Sequence, residues 1–188
     1  MGRGAALTGA AVAVGVWASG GRGRELDEAA FRALNADRGA TADSLATGIT
    51  ELGSIWASVG AAAVLAATGR RRAAATALAA ASTTWLAGQG LKRVFERPRP
   101  YQADAGVGRL LIAPPRASSY PSSHPAVLLA FVTVASREVG LRPPARAALH
   151  GLAALVGLSR VRVGVHYPAD VGGGLLLGRA VAELVSGR

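Results

Sequence analysis

Three short clusters in the second half of the chain hold the residue types that phosphate chemistry requires: Lys92 with Arg99-Pro100, Pro121-Ser122-Ser123-His124, and Ser159-Arg160 followed by His166 and Asp170. A phosphoryl group in transfer spreads negative charge over its oxygens, and fixed cations and backbone donors stabilise that charge. Lys92, Arg99 and Arg160 supply the cations, arginine as a planar fork and lysine as a compact point charge. A neutral imidazole can attack phosphorus when a partner orients it through its other ring nitrogen. Asp170 follows His166 by four residues. If a helix begins near Pro168, its carboxylate sits on the first turn and reaches back to the ring, as in hydrolytic triads. His124 then serves as the acid that protonates the leaving oxygen. Ser122 and Ser123 open an apolar stretch, where the free N–H groups of a helix start favour an anion.

Taken singly, each cluster has a plainer explanation. Lys92 and Arg99 read as interfacial anchors, Ser122-Ser123-His124 as a helix cap, and His166-Tyr167-Pro168 as a loop capped by Asp170. Independent caps and anchors do not explain why every cluster adjoins an apolar stretch at the same face.

Those stretches are the elements that must position the clusters. The chain has 188 residues, the size of a single domain, and only 17% are charged, against about 25% in a soluble domain. Gly4–Gly21, Leu52–Gly69 and Ala73–Leu91 are free of charge, and each is long enough to cross a hydrocarbon core of about 30 Å. Pro125–Ser136, Ala147–Leu158 and Val171–Val185 are shorter and need their flanking residues to complete a span. Gly4–Gly21 also resembles a secretory signal, but Ala18-Ser19-Gly20 is a poor cleavage site, which favours a retained helix. Between the first two runs, Leu26, Ala30, Phe31 and Leu34 recur near helical spacing, as in an amphipathic helix at the membrane surface, and a solvated linker fits the segment equally well. Arg70-Arg71-Arg72 marks the turn of a helical hairpin, and Arg97-Pro98-Arg99-Pro100 cannot continue a helix.

The expected architecture is therefore all-α, a polytopic integral membrane protein with a six-transmembrane-helix bundle over residues 1–188. Six spans place Arg3, Arg70–Arg72 and the group Arg137, Arg142 and Arg146 on one side, which the positive-inside rule makes cytoplasmic. All three clusters then face the extracytoplasmic side of the cell membrane. That side is also basic, through Lys92, Arg93, Arg97, Arg99, Arg160 and Arg162, charges that have a separate use if they hold phosphate. The net charge of +10 does not point to nucleic acid, because the basic residues fall between apolar stretches and not along one polar face. With no cysteine, disulfides and thiolate metal sites are excluded. His150 lies in no cluster and reads as structural. Trp17, Trp56 and Trp85, near the span ends, read as packing or interface residues. Arg179 and Glu183 are spaced to pair within the last span.

The order and spacing of Lys92, Arg99-Pro100, Pro121-Ser122-Ser123-His124, Ser159-Arg160, His166 and Asp170 resemble the three-part signature of the type 2 phosphatidic acid phosphatase superfamily. The resemblance covers residues 92–170. It implies a metal-independent phosphatase without a cofactor, with His166 as nucleophile through a phosphohistidine, Asp170 as its partner and His124 as general acid. Lys92, Arg99, Arg160 and the Ser122–Ser123 segment would bind phosphate. One departure stands out: Ser123 occupies a position where the family usually has glycine. Expected substrates are lipid phosphates or pyrophosphates, among them isoprenoid pyrophosphate, phosphatidate and phosphatidylglycerol phosphate, with a polyprenyl-linked sugar phosphate as the alternative. The loop from Tyr101 to Tyr120 is expected to meet the head group. A transporter is a reading of a different class, favoured by Arg179 and Glu183 inside a span and disfavoured by the lack of repeated Gly/Pro-broken helices. A non-catalytic lipid-phosphate-binding membrane protein is another.

Overall fold

The computed structural model describes residues 2–103 and 108–186. Its elements are α1 (Arg3–Ala18), α2 (Gly21–Asn35), α3 (Ala40–Thr50), a 3-10 turn (Glu51–Gly53), α4 (Ile55–Ala67), α5 (Arg71–Phe95), α6 (Pro100–Ala103), α7 (Ser123–Glu138), α8 (Pro143–Arg162) and α9 (Pro168–Val185). The described residues form no strand, as the all-α expectation requires.

Helix α7 is the axis of the bundle. Every residue from Pro125 to Ser136 is buried, so the helix is enclosed on all sides by α5, α8, α9 and α4. Helix α1 packs along α9. The Arg70–Arg72 hairpin forms as expected between α4 and α5, with Gly69 in the left-handed region at φ 82°. Helix α5 runs past Leu91 to Phe95, so Lys92 lies on its last turn, and Glu96 ends it at φ 43°.

The uncharged run Leu52–Gly69 is not one helix. Ser54 breaks it, and its hydroxyl accepts from the Ala57 N–H to cap α4. Among the described residues no single helix is long and apolar enough to cross a membrane alone. Two bent pairs meet that measure together, α1 with α2 at 88° and Ala40–Gly53 with α4 at 62°.

Large apolar side chains lie on the outside as well as within. The interior is rich in Ala, Val and Gly, with Leu128, Leu129 and Phe131 among them, and Trp56 is 77% exposed and Leu184 65%, with Trp17, Val64, Leu86 and Leu155 also outside. Small interior residues let helices approach closely, and the contact of α7 with α9 depends on them. A Cβ on Gly178 would lie 2.2 Å from the Ala126 carbonyl oxygen, and one on Gly174 would lie 2.3 Å from that of Ser122. Backbone cannot yield as a flexible side chain can. Gly178→Ala should therefore cost about 1–3 kcal/mol through overpacking. Gly172→Ala, whose Cβ meets nothing within 4 Å, should be neutral or slightly stabilising. Thermal melting in detergent checks both, and equal melting of the two variants would refute the packing argument.

Helix α2 forms where the amphipathic pattern places it. Leu26 and Leu34 are exposed, and Gly23, Asp27, Phe31 and Asn35 are buried. Asn35 uses both ends of its amide. Its Nδ2 donates to the carbonyls of Arg109 and Arg162, and its Oδ1 accepts from the Arg109 N–H. The helix is thereby tied across the ends of the bundle.

Candidate active site

The fold brings the three clusters to one end. Lys92 arrives on the last turn of α5, Ser122 to His124 at the start of α7, Arg160 on the last turn of α8, and His166 and Asp170 around the start of α9. Cross-links between loops and helix ends hold them there. The Ser122 N–H donates to the Asp170 carbonyl at 2.9 Å, and the Ser119 N–H to the Arg97 carbonyl at 2.8 Å.

Helix α9 begins at Pro168, as the spacing requires, and the Asp170 carboxylate turns back. Its Oδ2 accepts from the Tyr167 N–H at 2.8 Å and lies 3.4 Å from His166 Nδ1. A proton on Nδ1 directed at this carboxylate leaves Nε2 as an acceptor. Nε2 is 3.3 Å from Arg99 Nη1, which can donate to it, so this edge of the ring faces a guanidinium able to hold an anion. His166 is only 2% exposed, and Asp170 is fully buried. Burial, foremost, holds the His166 ring well below its ordinary protonation range, beyond what Asp170 restores.

Lys92 and Arg99 are fixed by backbone oxygens, Arg160 by a hydroxyl. Lys92 Nζ donates to the Ser118 and Pro121 carbonyls, both at 2.8 Å. Arg99 donates through Nε to Ala117 at 2.7 Å and through Nη1 to Val165 at 2.8 Å. Arg160 Nη1 donates to the Thr50 hydroxyl at 2.8 Å, and its buried Nε has no protein partner among the described residues. The charges of Arg160, Lys92 and Arg99 all bear on His124, whose flank is covered by Gly53. A Cβ on that glycine would lie 2.7 Å from His124 Cβ.

Ser122 takes the N-cap position of α7, but neither it nor Ser123 caps the helix through its side chain. Both hydroxyls are buried without a protein partner among the described residues, which leaves them available to an anion. Ser123 occupies the usual glycine position without strain, since it is the first residue of a regular helix and has no positive φ.

Two expectations need correction. The basic residues of this end are not all free for phosphate. Arg97 Nη1 binds Asp170 Oδ1 at 2.7 Å and its Nη2 binds Asp27 Oδ2 at 2.8 Å, while Arg162 binds Asp43 at 2.6 Å. Tyr120 is also not a head-group contact. It is fully buried against Phe95, Gly15 and Gly173, and its hydroxyl donates to the Ala11 carbonyl. Within the same loop, residues 104–107 lie outside the described residues.

Sequence reasoning missed the residues behind the histidine. Asp27 on α2 accepts from Arg97 and from the Ala169 N–H at 2.8 Å, Arg97 stacks 4.2 Å from the Tyr167 ring centroid, and the Ser119 hydroxyl donates to Asp170 Oδ2. Arg97 could have been found inside the first cluster. Asp27 showed only its spacing of four from Phe31.

Arg179 and Glu183 pair as their spacing allows, at 2.6 Å, and Arg137 joins them at 2.8 Å. The buried carboxylate is thus doubly compensated, and the pair no longer argues for a transport path. Among the described residues no group of three or more His, Cys, Asp or Glu side chains could share a metal ion.

Residues 55–186 match the profile of the PAP2 superfamily. A decaprenylphosphoryl-5-phosphoribose phosphatase of Mycolicibacterium smegmatis is 32% identical over 116 residues, 62% of this chain and 60% of that protein. Its Mycobacterium tuberculosis counterpart is 34% identical over 95 residues, 50% and 49% of the two chains. The matched region thus spans less than two thirds of these relatives. Among solved structures, a transmembrane PAP2-type phosphatidylglycerolphosphate phosphatase from Bacillus subtilis superposes with a TM-score of 0.84 at 25% identity, covering 100% of this chain and 96% of that one. Aquifex aeolicus LpxE gives 0.75 at 28%, covering 84% and 93%.

Proposed function

We propose that this chain, which belongs to the PAP2 superfamily, is a membrane phosphatase that removes the terminal phosphate of a lipid through a phosphohistidine on His166. The observation that carries this reading is the orientation of the His166 ring. One nitrogen is directed at Asp170 and the other at Arg99. In the first step Nε2 attacks phosphorus, a P–N bond forms, the P–O bond to the lipid breaks, and His124 gives its proton to the departing oxygen. In the second step His124 takes a proton from water, whose oxygen displaces His166 and releases inorganic phosphate. Lys92, Arg99 and Arg160 hold the phosphoryl oxygens throughout.

A groove for a lipid tail runs along the bundle from this end. About 590 Å³ in volume and apolar, it extends from Leu52, next to the glycine that packs on His124, past Leu65, Leu128 and Phe131 to Arg70 and Leu141 at the other end. Isoprenoid pyrophosphate, phosphatidate and phosphatidylglycerol phosphate fit this arrangement. A polyprenyl-linked sugar phosphate draws support from the activity named for the mycobacterial relatives. Purified protein in detergent with EDTA should release phosphate from at least one member of this panel. Lack of turnover on every member, with lipid still bound, would overturn the enzyme reading in favour of a binding protein.

The exposed Trp and Leu side chains, the small-residue interior and the likeness to a transmembrane phosphatase support insertion in the membrane. The reading is of six spans, with bent elements completing the shorter ones and the site on the extracytoplasmic side. The natural chain has no cysteine, so single cysteines can report topology. In intact cells, Arg116→Cys should react with an impermeant maleimide and Arg71→Cys should not. The reverse pattern would invert the orientation.

A further inference from the structure

At the opposite end of the bundle, Arg137 of α7, Arg146 of α8 and Arg179 of α9 line one cavity of about 250 Å³ with Thr133, Ser136 and His150. Glu183 compensates part of this charge. It accepts from Arg137 Nη2 at 2.8 Å and Arg179 Nε at 2.6 Å. Arg137 Nη1 also reaches Glu183 at 3.4 Å and Ser186 at 3.3 Å, and the Thr133 hydroxyl lies 3.2 Å from His150 Nε2. The next acid along α7, Glu138, pairs with Arg72. Arg137 and Arg179 therefore share the one carboxylate, while Arg146 lines the same cavity with a buried Nε that has no protein partner among the described residues. An ion pair tying α7 to α9 needs one arginine. The second and third, drawn from separate helices into a cavity with two hydroxyls, are more than that tie requires.

We propose that this cavity is a second anion site, distinct from the catalytic one, that takes a phosphate group. A tetrahedral oxyanion with several acceptor oxygens suits guanidinium forks arriving from different helices better than a planar carboxylate does. It lies by the turn joining α7 and α8, at helix ends, where the phosphate of an anionic lipid head group or a free phosphate can reach it. Bound there, the anion bridges α7, α8 and α9, the helices that carry His124, Arg160, His166 and Asp170 at their other ends.

Native mass spectrometry of the detergent-solubilised protein tests this with dioleoyl phosphatidylglycerol, dioleoyl phosphatidylcholine and inorganic phosphate as probes. The variants are Arg146→Gln and, as control, Arg142→Gln at an exposed arginine. Wild type and Arg142→Gln should retain phosphatidylglycerol in preference to phosphatidylcholine, and Arg146→Gln should lose about tenfold or more in that affinity. An effect in the phosphatidylglycerol arm alone assigns the site to a lipid head group. Arg146-dependent binding of inorganic phosphate that displaces the lipid assigns it to the free anion. Equal retention of both lipids, or no dependence on Arg146 in any arm, would overturn the proposal. Turnover in Arg146→Gln close to that of wild type shows that the variant is folded.

Discussion

His166→Gln is expected to abolish phosphate release, by at least about ten-thousand-fold, without loss of fold. Glutamine is close to histidine in reach and keeps a polar group toward Asp170 and Arg99, but its amide is not a nucleophile. The loss should fall on kcat, because Lys92 and Arg99 are held by backbone carbonyls and Arg160 by the Thr50 hydroxyl. Asp170→Asn should cost about ten-thousand-fold through the wrong tautomer and orientation of the ring. A titration separates these roles from simple packing. Burial keeps the His166 imidazole neutral well below its ordinary value, so its resonances in histidine-labelled protein should stay those of the neutral ring as pH falls through about 6.5. The sign for stability follows. The unfolded chain takes up this proton first, so the contribution is present above about 6.5 and is lost as pH falls toward the folded value. Residual turnover in His166→Gln near that of wild type, or a ring that protonates at or above its ordinary value, would remove His166 as nucleophile.

That the candidate residues meet at one end of the bundle was legible because they stand at breaks between apolar stretches. Lys92 to Pro100 and Arg160 to Asp170 each run from one helix end to the start of the next, Ser122 to His124 opens α7, and Pro168 placed the start of α9. Hydrophobic periodicity located helix α2 without revealing which polar residues it turns inward: Leu26 and Leu34 are exposed, while Asp27 and Asn35 turn in to meet buried partners. The break at Ser54 was hidden, since Gly and Ser continue an uncharged run whether or not the helix does. Long-range pairing was the least visible. Asp27 lies 70 residues before Arg97 and 142 before Ala169, and neither neighbour in sequence announces the other.

That pairing yields the second large effect. Arg97→Gln should destabilise the protein by about 3–5 kcal/mol, because it leaves both Asp27 and Asp170 buried with one cation lost. The carboxylates are 2% and 0% exposed at their side chains, so water cannot replace the guanidinium. Turnover should also fall, since Arg97 fixes Asp170 Oδ1 at 2.7 Å and leaves Oδ2 for the histidine. Asp27→Asn alone should cost less, as the amide retains an acceptor for the Ala169 N–H and Arg97 still holds Asp170. The double variant decides the mechanism. If uncompensated charge is the cause, adding Asp27→Asn to Arg97→Gln removes one of the two stranded carboxylates, and the pair should melt above Arg97→Gln alone. If Arg97 acts only by packing over Tyr167, the two losses should add and the double variant should melt lowest. Melting temperature and kcat measured on all four proteins distinguish the cases, and additive loss would show that the Asp27–Arg97–Asp170 chain does not set the charge balance behind His166.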